Sequence, residues 1–271
     1  MKSMTFFGGG HMASAMIAGM QRANQLPPFL MLVDPDAQAR QRWSDCYGAR
    51  TFEHVAQEPC LSDCWLMAVK PQQMKSLCAA IAGLHAQPSR CVISVAAGIR
   101  LARLQSWLGL QHRYIRCMPN TPAVIGRGVT ALFAASDLAS DDRMFAQTMM
   151  ACVGRCLWVD AENSLDAVTA VSGSGPAYVF RLIEAMQAAA QALGLNAQDA
   201  RLLVLETFTD ASELAAQSAL TPAELREQVT SKGGTTAAAL EVFSQEDLSG
   251  MIARALNRAA ARSAELADLV D

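Results

Sequence analysis

The chain has 271 residues, of which 52% are hydrophobic and only 17% are charged, and its formal net charge is −3. This composition excludes intrinsic disorder, and the slight negative charge provides no basic field for a nucleic-acid backbone. No apolar run approaches the ~20 residues that cross a bilayer, so we expect a cytoplasmic protein that binds neither nucleic acid nor membrane.

Short apolar runs alternate with helical patterns over the first 160 residues or so. Runs of about five apolar residues without polar alternation are typical of strands buried on both faces. Strict alternation of strand and helix predicts an α/β fold, with a Rossmann-type, doubly wound parallel sheet over residues 1–161. The predicted strands are Met4–Gly8, Phe29–Val33, Trp65–Val69, Cys91–Val95, Tyr114–Met118 and a run that begins at Gly128.

The pattern becomes almost entirely helical beyond Asp160. Thr221, Pro222 and Glu224 form a helix-start signal, in which a hydroxyl residue precedes proline at the first helical position. Alanine-rich helices can approach one another closely, so residues 162–271 are predicted to form an all-helical domain that packs on itself or on another subunit. The predicted helices are 176–193, 199–218, 222–229, 235–243 and 247–269.

The eight cysteines do not form a recognisable metal or disulfide pattern. Cys60 and Cys64 have the same spacing as Cys152 and Cys156, but there is no CxxC pair and no histidine cluster nearby. We therefore expect reduced thiols that fill the core, and no metal site.

A glycine-rich turn follows the first predicted strand. Gly8, Gly10 and Ala13 fit the dinucleotide-binding pattern G-x-G-x-x-A at the start of a helix. In that pattern the first glycine permits the turn, the second admits a pyrophosphate, and the small third residue brings the helix close to the sheet. The alternative is a turn with no ligand.

Asp34 closes the next predicted strand, where an acid accepts hydrogen bonds from the adenosine ribose. A carboxylate there disfavours a 2′-phosphate and favours NADH, although Arg40 and Arg42 lie a turn or two along the next helix. Alternatively, Asp34 only starts the Asp-Pro-Asp turn.

A second glycine loop, 229–236, joins two predicted helices. Glycines flanked by hydroxyl residues at a helix start offer N–H and O–H donors suited to a carboxylate. An ordinary helix cap explains the same spacing equally well.

An obvious proton donor is missing from the sequence. The four lysines (Lys2, Lys70, Lys75, Lys232) avoid the long helix after Pro176, and the four histidines (His11, His54, His85, His112) are scattered without nearby carboxylates. We expect the histidines to be surface or turn residues. A ketone reductase needs a proton donor, whereas a protonated imine already carries its proton, so this absence favours an imine substrate.

Several segments together resemble the pyrroline-5-carboxylate reductase family. The most specific are VSGSGPAYVF and TSKGGTT, and the others are FFGGGHMASAM, MAVKPQQM, ISVAAGI and RCMPNTPAVIGRGVTALF. The resemblance implies reduction of 1-pyrroline-5-carboxylate to L-proline with NADPH or NADH, the last step of proline biosynthesis. It also implies a homodimer formed through the helical C-terminal domain, and five such dimers often form a decamer.

The same resemblance assigns site residues by motif. For the coenzyme it implies Gly8, Gly9, Gly10, His11, Met12, Ala13, Asp34, Ala68, Val69, Lys70, Pro71, Ala96, Ala97, Gly98 and Asn120. For the substrate it implies Glu162, Gln228, Ser231, Gly233, Gly234, Thr235 and Thr236. Thr236 matches a threonine beside the ring nitrogen, which makes it the predicted catalytic residue.

Two alternative functions would require different residues in the sequence. A β-hydroxyacid dehydrogenase also has a Rossmann domain followed by helices, but it needs a lysine on the helix after Pro176. A non-catalytic dinucleotide sensor would keep the glycine turn and would have no use for a carboxylate-binding loop.

Overall fold

The structure, a computed structural model, describes residues 2–57, 62–84, 88–136 and 138–269. Its contacts divide the chain into two compact units, one of Met1–Ser174 with Ala259–Asp271 and one of Gly175–Arg258. The sequence places its domain boundary between residues 161 and 162, whereas this division keeps residues 162–174 and the end of the last helix with the sheet.

The first unit contains an eight-stranded sheet in the order β3-β2-β1-β4-β5-β6-β7-β8. The strands are β1 (Met4–Phe7), β2 (Leu30–Val33), β3 (Arg50–Phe52), β4 (Cys64–Met67), β5 (Cys91–Ser94), β6 (Arg113–Met118), β7 (Gly128–Ala134) and β8 (Gly154–Trp158). β1 to β6 run parallel, which confirms the predicted Rossmann-type sheet.

β7 departs from the prediction because it runs antiparallel to β6, and β8 then pairs parallel to β7. The segment between β6 and β7 holds only a short 3₁₀ helix, Thr121–Ile125. A parallel crossover needs a dozen or more residues, so this short connection returns the chain in the opposite direction.

Helices cover both faces of this sheet. They are α1 (His11–Arg22), α2 (Ala37–Tyr47), α3 (Pro71–Ala82), α4 (Leu101–Leu108), α5 (Ser140–Ala151) and α6 (Ser164–Val168), and a π-helical turn follows at Thr169–Gly173. Phe6 packs with Trp43 of α2 in one core, while its neighbour Phe7 packs with Trp65 in the other. Successive residues of a strand point to opposite faces, so an unbroken apolar strand supplies both cores.

The second unit is helical and exposes much apolar surface. It contains α7 (Gly175–Ala192), α8 (Ala197–Gln217), α9 (Pro222–Gln228), α10 (Thr235–Gln245) and the start of α11 (Leu248–Leu269). No residue of α7 is buried in the single chain, and Phe180 is 66% exposed. Such a face is typical of an association surface.

The described cysteines are all free thiols, and Cys60 lies outside the described residues. Burial raises the pKa of Cys78 to about 12, and it also raises the pKa of Cys64 and Cys117. These buried thiols stay protonated and unreactive at neutral pH. Among the described helices, none is both long and apolar enough to span a membrane.

Candidate active site

The turn after β1 requires glycine at its first position. Gly8 has φ +98°, and its N–H donates to the Val33 carbonyl at 2.9 Å. A Cβ added to Gly8 would lie 2.8 Å from the main-chain oxygen of Ala68. Gly8 therefore lets the ends of β1, β2 and β4 approach one another.

The next glycines lead directly into α1. Gly10 is the N-cap of α1 and supplies no side-chain cap, and a Cβ added to it would meet nothing within 4 Å. Ala13 is buried at 1% exposure, which brings this helix close to the sheet. The start of α1 thus has no side-chain cap and has open space beside Gly10, as a pyrophosphate site requires.

A cavity of about 560 Å³ opens at this turn. Six of the predicted coenzyme residues line it: Gly8, Gly10, Asp34, Ala68, Val69 and Lys70. Lys70 is the N-cap of α3, and Pro71 occupies the first turn of that helix, so the chain leaves β4 along the cavity wall. Its volume and the glycine turn at its edge suit the adenosine and pyrophosphate part of a dinucleotide.

Sequence reasoning missed part of this wall. Glu53 and His54 also line the cavity, directly after β3, and Gln73 and Ser76 line it from α3. β3 has only three residues and none is fully buried, so it carries no apolar signal in the sequence.

The predicted nicotinamide segment follows β5 at the same edge of the sheet, outside the lining of this cavity. The Ala96 N–H donates to the Ser94 hydroxyl at 3.3 Å, and Ala97 is partly exposed. Gly98 has φ +75°, and a Cβ added to it would lie 3.5 Å from the Ala267 nitrogen of α11. The end of α11 therefore packs against this loop.

Asn120 has a structural role that the sequence did not indicate. Its side-chain oxygen accepts from the Val129 N–H at 2.8 Å, and its Nδ2 donates to the Ser172 carbonyl at 3.1 Å. Both ends of the amide thus join the loop after β6 to β7 and to the π-helical turn. The Asn120 side chain therefore stabilises the positions of these three segments relative to one another.

Glu162 lies in the first unit and makes its contacts there. Its Oε1 accepts from the Leu101 N–H at 2.7 Å, at the start of α4, and lies 3.1 Å from Nη1 of Arg116. Arg116 is only 2% exposed, so its buried charge is paired. Arg116 is a charged residue within the otherwise apolar segment Tyr114–Met118. That charge was the sequence signal for a buried ion pair, and it was not used.

The second glycine loop lies within the second unit. α9 ends with Gln228 and has Val229 as its C-cap, so the glycines do not end that helix. Gly233 has φ +73°, and the Gly234 N–H donates to the Ser231 carbonyl at 3.0 Å. Gly234 is then the N-cap of α10, without a side-chain cap.

This loop is open to a ligand. Ser231, Gly233 and Thr235 are exposed, and Thr236 is partly exposed in the first turn of α10. Uncapped N–H groups beside two hydroxyls suit a carboxylate, which favours the binding interpretation over an ordinary cap.

The histidines differ in their placement. His11 and His54 are exposed, and His85 lies outside the described residues. His112, expected at the surface, is instead buried beside Trp65, and burial together with Arg90 and Arg113 lowers its pKa. α7 contains no lysine or histidine, so it lacks the donor that a β-hydroxyacid dehydrogenase needs there.

Comparison with known proteins gives consistent matches. Residues 162–266 match the family model "Pyrroline-5-carboxylate reductase dimerisation", and residues 3–98 match "NADP oxidoreductase coenzyme F420-dependent". The Pseudomonas aeruginosa pyrroline-5-carboxylate reductase is 39% identical over 265 residues, covering 98% of this chain and 97% of that protein.

Solved structures agree with these matches. A Coxiella burnetii pyrroline-5-carboxylate reductase has a TM-score of 0.90 at 34% identity, covering 98% of both chains. A Plasmodium falciparum pyrroline carboxylate reductase with NADP bound has a TM-score of 0.85 at 25% identity, again covering 98% of both. The similarity thus extends through nearly the whole chain.

Proposed function

The chain belongs to the pyrroline-5-carboxylate reductase family, and from that membership we propose which of its residues carry the reaction. It reduces 1-pyrroline-5-carboxylate to L-proline with NAD(P)H, the last step of proline biosynthesis. When bound, the reduced nicotinamide supplies the hydride that C5 of the pyrrolinium ring receives.

The first unit holds the coenzyme. The N-terminus of α1, from Gly8 to Ala13, binds the pyrophosphate, and Asp34 meets the adenosine ribose at the end of β2. Ala68 to Pro71 border the nicotinamide ribose, and the loop from Ala96 to Gly98 lies near the nicotinamide ring. Asn120 and its hydrogen bonds fix the neighbouring loop.

The second unit binds the substrate carboxylate. The N–H groups at the start of α10 and the hydroxyls of Ser231 and Thr235 receive its negative charge. Gln228 contributes from the end of α9. We assign no substrate contact to Glu162 Oε1, because that atom already accepts from Leu101 and Arg116.

Thr236 is the proposed catalytic residue. Its hydroxyl orients the ring nitrogen or relays a proton there. The imine reacts as its cation and needs little further acid catalysis, which accounts for a site without a strong acid.

The observation that carries the proposal is the cavity at the glycine turn, with its glycine floor and uncapped helix. The test combines purified protein, 1-pyrroline-5-carboxylate and either NADPH or NADH. We expect coenzyme oxidation with an equal amount of L-proline formed. Pyrroline-2-carboxylate is the control that identifies the reduced carbon. Absence of oxidation with both coenzymes would refute the proposal.

The protein forms a homo-oligomer, consistent with the dimerisation family match. We propose a homodimer through α7 and its neighbours, and a decamer of five such dimers. The exposed apolar side chains of the helical unit support pairing, among them Phe180, Leu202, Leu214 and Met251. Light scattering should therefore give ten times the chain mass of 29.0 kDa. A dimer would contradict the decamer, and a monomer would contradict both.

We also propose that the protein is cytoplasmic. The described cysteines are free thiols, as is usual in a reducing compartment.

A further inference from the structure

The carboxylate of Asp34 is held in one position at the edge of the coenzyme cavity. Its Oδ2 accepts from the Gly9 N–H at 2.6 Å, and its Oδ1 accepts from the Asp36 N–H at 2.7 Å. Asp34 thus starts the Asp-Pro-Asp turn and also contacts the glycine turn. A carboxylate has about four acceptor positions, so it keeps capacity for a ribose hydroxyl.

A second carboxylate increases the negative charge at this end of the cavity. Glu53 lines the same wall as Asp34. Arg40, a cation beside this turn, donates from Nη1 to the carbonyls of Asp34 and Pro35, both at 2.8 Å. Its Nη2 lies 3.7 Å from Glu53. The guanidinium therefore stabilises the main-chain turn, and Glu53 also has His54 beside it, with Nε2 at 3.3 Å from Oε1.

We propose that this cavity selects NADH over NADPH, with Asp34 as the specificity-determining residue; the inference rests on the proposed function. A 2′-phosphate carries a charge of about −1.5 to −2, and at this end of the cavity it would lie beside the carboxylates of Asp34 and Glu53, while Arg40 is held by the turn. A free 2′-hydroxyl instead donates to Asp34. The same geometry that rejects the phosphate therefore binds the unmodified ribose.

The test measures binding without turnover. Isothermal titration of the intact oligomer uses ADP-ribose and its 2′-phosphorylated form, which lack the nicotinamide ring. We expect ADP-ribose to bind tighter by about tenfold or more. Equal or tighter binding of the phosphorylated form overturns the inference and leaves the proposed function intact. No binding of either compound overturns the coenzyme site itself.

Asp34→Asn tests the residue while preserving its size and one acceptor for the turn. We expect it to reduce the ratio of the two affinities to near one, with ADP-ribose itself binding more weakly. Asp36→Asn is the matched control, because Asp36 caps α2 through the Gln38 N–H and does not line the cavity. If the ratio of the affinities for ADP-ribose and its 2′-phosphorylated form stays at the wild-type value in Asp34→Asn, Asp34 does not determine the coenzyme specificity.

Arg40→Gln separates the two possible roles of the arginine. If the guanidinium supports the turn, the affinities for both compounds fall by the same factor and their ratio is kept. Selective loss of the 2′-phosphorylated compound would make Arg40 a phosphate ligand and overturn the inference.

Discussion

Gly8→Ala is expected to weaken coenzyme binding by on the order of a hundredfold or more and to destabilise the sheet unit. The new Cβ would lie 2.8 Å from the Ala68 main-chain oxygen, on a residue with φ +98°. The left-handed backbone and the forced separation of β1 from β4 together cost about 2–4 kcal/mol. Titration with ADP-ribose and thermal unfolding measure the two effects.

Gly10→Ala is the matched control two residues away. Gly10 has an ordinary φ of −68°, and its added Cβ meets nothing within 4 Å, so the melting temperature should remain at the wild-type value. The methyl group nevertheless occupies the space in front of α1, so affinity should fall without loss of stability. Wild-type ADP-ribose affinity in Gly8→Ala would show that this turn is not the coenzyme site.

Thr236→Ala is expected to lower kcat by about 100-fold, the lower end of the range for loss of one positioned proton-transfer or polar group. The affinity for coenzyme should not change, because the proposed coenzyme contacts belong to the first unit. Steady-state kinetics with saturating 1-pyrroline-5-carboxylate, combined with coenzyme titration, separate the two quantities.

Thr236→Ser retains a hydroxyl and should recover most of the rate. Thr207→Ala is the control for loss of a hydroxyl in the same unit, because Thr207 bonds only the Leu203 carbonyl within α8 in the described contacts. If Thr236→Ala turns over at the wild-type rate, the assignment of Thr236 is wrong.

The buried strands were predictable because short apolar runs such as Leu30–Val33 are typical of strands in a sheet covered on both faces. β3 and β8 were not, since both are edge strands in which no residue is fully buried. The antiparallel direction of β7 follows from the short connection between β6 and β7. This is a constraint of chain geometry, and it leaves no pattern in the hydropathy of the sequence.

The glycine turn was predictable for a different reason. Gly8 is required by local backbone geometry, and the strand before it and the helix after it mark the turn in the sequence. Asn120 and Glu162 act through partners far away in the chain, Ser172 and Arg116 among them. A motif supplies the identity of such a residue but not its partners, and therefore does not determine its role.

The return of α11 to the sheet affects how the protein matures. Ser263, near the C-terminus, donates to the buried carboxylate of Asp166 at 2.7 Å, and Ala267 fills the space beside Gly98. The nucleotide-binding unit is thus interrupted by an inserted helical module, and its segment from Ala259 onward leaves the ribosome after that module. Domains otherwise begin to fold as they emerge, whereas here the nucleotide-binding unit forms its last packing contacts only after the helical module has been synthesised.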